Sequence, residues 1–432
     1  MKLRTSFKRD AVPNDLTHLA RALTAIGAHG TADDFGQAAG DTYEPFRLMD
    51  RKIILSDETL GAISQFEMLA SRCDTLIGTS PLGTALARIM ARMDGMFVAQ
   101  LNGRRADYRL CCCLDFFKES GTAKGGSDEA RLSALGLDLT PASVLSASKC
   151  AHQMETIELN SLCGAAPALI TPGHVLALQQ AIGRTFHPKV SSGLRTWDLP
   201  GEGDEPDADA YRPPSPLELP EFLQDLVTFL NESPLGPSAK VALMHYQLEA
   251  TKMFSSDTDQ LARALLVGIW RNTGLIKYLM PPIAITPALA RRNHDEVLRP
   301  YQFAPGLSEM QMIDNWVYHT ACASQNAFEV AQYGYTIAHQ TLDRWRSIVA
   351  ARGTRLTDTM ERLLVTVVGS PVFSASSAAE AIGTTFTTAT KIIGVLEACD
   401  IVRQMSRGRR NKVYECPEAV ALFEKIVPDL AG

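Results

Sequence analysis

Residues 374–391 read Ser374-Ala375-Ser376-Ser377-Ala378-Ala379-Glu380-Ala381-Ile382-Gly383-Thr384-Thr385-Phe386-Thr387-Thr388-Ala389-Thr390-Lys391. The stretch 376–382 is a short alanine-rich helix, Gly383 supplies a turn, and Thr385 is suited to cap a further helix. In that further helix Ala389, Ile393 and Leu396 share the inward face. The small Ala389 matters, because two steeply crossing helices need a tiny side chain at closest approach. Upstream, Thr357 caps a helix whose Met360, Leu363, Leu364 and Val367 make an apolar stripe ending at Gly369, before Ser370-Pro371. Downstream, Val402 to Glu415 reads as a hairpin turning at Arg407-Gly408-Arg409. This order of elements predicts a winged helix-turn-helix over roughly 357–416.

The side chains left outside that core suggest its partner. Thr385, Phe386, Thr387, Thr390 and Lys391 lie outward near the start of the third helix, the end that meets base edges when such a helix enters a major groove. The hairpin carries Arg403, Arg407, Arg409, Arg410 and Lys412 with no acid between them. Residues 355–416 hold eight basic and six acidic side chains, so the positive charge is focused on the hairpin. A basic run alone is usually a solvated face. Following a helix-turn-helix, it suits a wing lying along phosphates, and double-stranded DNA is the expected partner.

At 432 residues the chain exceeds one ordinary core. A composition 46% hydrophobic and 21% charged is that of a folded protein, and the formal charge of −6 excludes an all-over cationic coat. The basic start Met1 to Asp10 is followed by no apolar segment, and no run approaches the roughly 18 apolar residues of a membrane span, so a cytoplasmic protein is expected. Nine cysteines include the triplet Cys111-Cys112-Cys113 and no Cys-x-x-Cys pair. Adjacent residues cannot converge on one metal from a helix or strand, so buried thiols are expected.

Helical spacing dominates 56–101 and 130–187, with breaks at Ser80-Pro81 and Thr171-Pro172-Gly173. The acidic, proline-rich stretch Asp198 to Pro216 reads as an exposed loop. A helical block follows. Its first helix, from Pro220, has Phe222, Leu223, Leu226, Val227 and Leu230 on one face. Further helices are expected over 241–253, 261–275, about 287–298 and 308–350, the last broken near Gly334.

This middle block resembles the Fic family through Gly193-Leu194-Arg195, Tyr211-Arg212-Pro213-Pro214-Ser215-Pro216, Leu219-Pro220, His245-Tyr246-Gln247-Leu248-Glu249, Gly274-Leu275-Ile276 and Arg292-Asn293-His294-Asp295-Glu296. The C-terminal stretch from Ile382-Gly383 to Leu396, with Arg410-Asn411-Lys412-Val413-Tyr414, is similar to the winged helix appended to many Fic proteins. Together the resemblance covers a little over half the chain, and the family's inhibitory Ser-x-x-x-Glu helix has no match in the first 150 residues. It implies a helical fold and, in active members, transfer of AMP or another phosphate-linked group to a protein hydroxyl.

The family's catalytic loop, His-Pro-Phe-x-Asp-Gly-Asn-Gly-Arg-x-x-Arg, falls on Lys252 to Arg263, where only Phe254 and Arg263 match. Lys252 replaces the family's general base, and a lysine near its reference pKa of about 10.4 is already protonated at neutral pH. Ser256 stands for the metal-binding acid, Thr258 for the asparagine and Gln260 for the first arginine. Asp257 and Asp259 replace glycines whose backbone N–H groups would cradle phosphate. Lys252 and the two aspartates therefore read as a solvated loop, a vestigial site with no catalytic residue. Arg263 either holds an acidic ligand or pairs with Asp259 four residues earlier. His245 reads as a hydrogen-bonded core residue and His152 with Glu155 as too few ligands, so no metal and no cofactor are expected.

The expected fold is mainly α. Residues 1–150 form a helical N-terminal region of unassigned role, 151–352 a Fic-like helical domain with a degenerate loop, and 353–432 a winged helix-turn-helix with a small β-hairpin wing. The expected function is a sequence-specific DNA-binding regulator, a homodimer whose inactive body serves for dimerisation or effector sensing, with an effector or protein partner of unassigned identity. A divergent Fic-type nucleotidyltransferase and a protein-interaction module are the alternatives.

Overall fold

The computed structural model describes residues 45–101, 106–120, 127–137, 139–140, 143–144, 147, 169–186, 193–199, 213–256, 258–289, 309–406 and 411–427. These residues are mainly helical, with a small three-stranded antiparallel sheet near the C-terminus.

Two long helices form the spine. Helix α1 (Asp57–Gly78) starts at Ser56, whose Oγ accepts from the Thr59 amide. Its buried Ile63, Phe66, Ala70, Cys73 and Ile77 recur every three or four residues, so one apolar stripe faces inward. That stripe lies along the longest helix, which we number α10 (Glu309–Ala351). The Ser56 amide and hydroxyl both donate to Asp314, fixing the register of the pair.

The break expected at Gly334 is absent, because that glycine serves packing. A Cβ there would lie 2.8 Å from Met90 Cε and 3.2 Å from Ile426 Cδ1.

Helix α2 (Gly83–Leu101) is buried almost all round, as a helix wedged between other layers must be. It contacts α10 on one side and, on another, α3 (Tyr108–Glu119), which is capped by Asp107. Cys111, Cys112 and Cys113 are all buried in α3, and burial pushes the Cys112 thiol up to about 12. Such thiols are unreactive packing groups. After α4 (Asp128–Ala134) and α5 (Pro172–Phe186) come α6 (Leu219–Glu232), α7 (Pro237–Thr251), α8 (Thr258–Asn272) and the short α9 (Ile285–Leu289). Helices α7 and α8 pack together, and α7 also meets α10, where Trp316 Nε1 donates to the Ala242 carbonyl at 2.6 Å. Phe66 stacks at a tilt on Trp270 of α8 (5.1 Å) and Phe328 of α10 (5.8 Å) in the centre of this core.

The C-terminal elements are α11 (Asp358–Gly369), β1 (Val372–Ser374), α12 (Ala375–Ala381), α13 (Phe386–Ala398), β2 (Arg403–Gln404) and β3 (Val413–Glu415), closed by α14 (Pro417–Val420) and α15 (Leu422–Ile426). The sheet order is β1-β3-β2, with Val372 opposite Glu415 and Arg403 opposite the same residue on the other side. Two helices joined by a glycine turn precede β2 and β3, and the small antiparallel sheet fits the hairpin wing expected from the sequence. The additional strand β1 was not expected.

These elements are continuous with the rest of the core. Helix α11 packs on α2, β1 and α14 contact α3, and α15 contacts α10. At the tightest point a Cβ on Gly369 would lie 2.4 Å from Ala85 Cα and 2.8 Å from its carbonyl oxygen. Gly369→Ala is therefore expected to lower stability by about 1–3 kcal/mol, read from the urea midpoint, because backbone must move rather than a flexible side chain. An unchanged midpoint would show that the two helices are not in contact in solution. Among the described residues, no helix is long and apolar enough to cross a membrane.

Candidate functional site

Helix α13 is presented by local chemistry. Gly383, at φ +60°, takes the left-handed conformation of the turn, and Thr385 Oγ1 accepts from the Thr388 amide at 3.2 Å to cap the first turn. Ala389, Ile392, Ile393 and Leu396 are buried, and α13 packs on α12 around them. Thr385, Phe386, Thr387, Thr390 and Lys391 are all exposed, Phe386 by 59% of its surface. An apolar ring this open, beside hydroxyls and a cation, lies outside the core. The N-terminal end of the helix adds its own partial positive charge.

Behind α13, Arg403 and Lys412 are exposed on the hairpin, while Arg407, Arg409 and Arg410 lie outside the described residues. Arg403 differs from expectation. Its guanidinium donates to Glu415 Oε2 (Nη2 at 2.8 Å), and Arg109 of α3 donates to the same carboxylate (Nη2 at 2.9 Å). Glu415 is only 1% exposed and carries both arginines, so the trio keeps one net positive charge and anchors the wing to α3. Neither Arg109 nor Glu415 stood out in the sequence, because their partnership spans about 300 residues.

A cavity of about 730 Å³ lies between the N-terminal helices and α11, β1 and α12. Ala85, Arg88 and Phe116 line one wall, and Leu363, Phe373 and Ala378 the other. Arg88 bridges Glu119 and Ser370 at this seam.

The loop after α7 is anchored, not solvated as expected. Lys252 ends α7 in the left-handed region (φ 43°). Its carbonyl accepts from Arg195 Nε at 2.9 Å, and the Met253 carbonyl accepts from the Arg195 amide at 2.9 Å. Leu194 and Phe254 form a β-bridge, and Phe254 is buried. Arg195 also donates to the Trp197 and Pro214 carbonyls, so one buried guanidinium ties three segments together. The Ser256 carbonyl accepts from Gln179 at 3.4 Å. Asp257 lies outside the described residues, while Thr258, Asp259 and Gln260 form the first turn of α8. Arg263, 4% exposed, donates to both oxygens of Asp259 at 2.8 and 2.7 Å. Of the two roles open to Arg263, the structure places it in the ion pair.

No family model matches the chain, and no curated protein matches it. Among solved structures, it is similar to a Fic family protein from Desulfovibrio desulfuricans G20, with a TM-score of 0.42 at 14% identity over 84% of this chain and 97% of that one. It is similar to Fic-1 from C. elegans, with a TM-score of 0.39 at 14% identity over 62% and 72% of the two chains. A Fic domain containing signaling protein from Bacteroides thetaiotaomicron VPI-5482 gives 0.36 at 16% identity over 64% and 95%. Likeness at this level assigns no activity to the chain.

Proposed function

We propose that this protein is a sequence-specific DNA-binding regulator built on a Fic-like helical body that no longer transfers nucleotides. The observation that carries the reading is the exposed start of α13, where Thr385, Phe386, Thr387, Thr390 and Lys391 stand together, followed in the sequence by an arginine-rich hairpin. Thr387 and Lys391 are the base-reading candidates, and Lys412 with the hairpin arginines supplies phosphate contacts. A homodimer reading two half-sites about one helical turn apart suits this architecture. The seam cavity borders α12, so a ligand in it would bear directly on how the recognition helix is held.

Loss of transfer chemistry is supported by Lys252 in place of an imidazole base and by Arg263 held on Asp259. A phosphate would have to displace that two-point ion pair to reach the guanidinium.

Selection from a random DNA pool, followed by titration against the enriched site, tests the reading. Binding is expected to fall steeply with salt, and substitution of Thr387 or Lys391 is expected to cost about 1–3 kcal/mol at one base pair while sparing others. No enriched site, or binding indifferent to salt, would overturn it. So would transfer of label from ATP to protein that disappears in Lys252→Ala, which would establish the enzyme instead.

A further inference from the structure

Helices α7 and α8 bring three donors to one point away from the recognition helix. His245 and Glu249 stand four residues apart on α7, one turn above the other on a single face. Asp259 comes from the first turn of α8. One imidazole nitrogen and one oxygen from each carboxylate fall within 4.8 Å of one another.

His245 is the informative member. It is only 8% exposed, its Nε2 makes no hydrogen bond, and that atom lies 3.7 Å from Asp259 Oδ1. Trp316 meets the ring edge-on at 5.4 Å and fixes its plane, so the nitrogen is held toward the acids. A buried ring nitrogen without a partner is costly, and this one faces carboxylate oxygens with which it could share a bound cation. Arg263, buried nearby, is ion-paired to Asp259.

We propose that His245, Glu249 and Asp259 bind a divalent first-row metal ion of the zinc or manganese type. One imidazole with two carboxylates suits these ions better than magnesium or calcium, which favour oxygen alone. Metal bonds of about 2.0–2.2 Å place ligand atoms roughly 3.0–3.5 Å apart, so the donors must close by about 1 Å. Glu249 is partly exposed, and rotation of its side chain can bring it toward His245 and Asp259. Arg263 then orients Asp259 as an outer partner. Three protein ligands leave a position open on the side where the acids meet solvent, as in sites that hold water or a small ligand. The spacing of histidines in the sequence gives no sign of this, because the second and third ligands are acids on two helices.

Full-length protein stripped with a chelator is to be titrated with Zn²⁺, Mn²⁺ and Mg²⁺ by calorimetry, with Co²⁺ absorption as the reporter of nitrogen ligation. One equivalent of Zn²⁺ or Mn²⁺ per chain is expected. His245→Gln and Glu249→Gln should each weaken binding by about 100-fold or more, since a direct ligand matters more than an outer partner. His339→Gln, exposed on α10, should change nothing. Glu249 is partly exposed, so its variant keeps the test valid should His245→Gln fail to fold, as judged by circular dichroism. Absence of stoichiometric binding, wild-type affinity in both ligand variants, or Mg²⁺ bound as tightly as Zn²⁺ would overturn the site.

Discussion

Replacing Arg92 by alanine is expected to lower stability by about 3–5 kcal/mol, the loss typical of breaking a buried ion pair from one side. The side chain is 1% exposed at the centre of α2. Its Nε donates to Asp115 of α3, and its Nη1 donates to the Gly369 carbonyl at the end of α11 at 2.7 Å. One guanidinium therefore joins the N-terminal helices to each other and to the end of α11. Removing it strands a buried carboxylate and an end-of-helix carbonyl, neither of which water reaches easily. Urea unfolding measures the change. The double substitution Arg92→Met with Asp115→Leu is expected to recover much of the loss, since no charge is then left buried. A single-variant loss below about 1 kcal/mol would mean the seam between α2 and α11 opens readily.

Much of the C-terminal fold is legible in the sequence because its signals are local. Thr357 and Thr385 announce helix starts and do cap them, Gly383 marks the turn, and Ala389 is buried in α13. What is not legible depends on partners far along the chain. Val372-Phe373-Ser374 is too short to read as a strand until β3 lies beside it. Gly334 looks like a helix breaker until Met90 and Ile426 are seen against it. Arg403 looks like a phosphate contact until Glu415 and Arg109 close around it. The degenerate loop is intermediate. The Arg263–Asp259 pair follows from a spacing of four, whereas the anchoring of Lys252 and Phe254 by Leu194-Arg195 needs the tertiary structure.

That reassignment of Arg403 sharpens the expected behaviour of the wing. Changing Arg407, Arg409 and Arg410 together to alanine should weaken binding to all DNA sequences, because phosphate contacts carry no sequence information. Each contact releases counterion and contributes about 0.9 to the slope of log K against log salt, so losing three flattens the slope by roughly 2.7. At physiological salt the same term corresponds to about a 100-fold loss of affinity. Arg403→Ala is the contrast. Its charge already rests on buried Glu415, which Arg109 continues to hold, so the slope should fall by clearly less than one contact. Anisotropy titrations of one duplex between low and physiological salt measure both slopes. If the triple variant keeps the wild-type slope, the wing does not lie on the backbone. If instead Arg403→Ala alone flattens the slope by a full contact, the guanidinium leaves Glu415 for phosphate on binding, and the anchor to α3 must open when DNA is engaged.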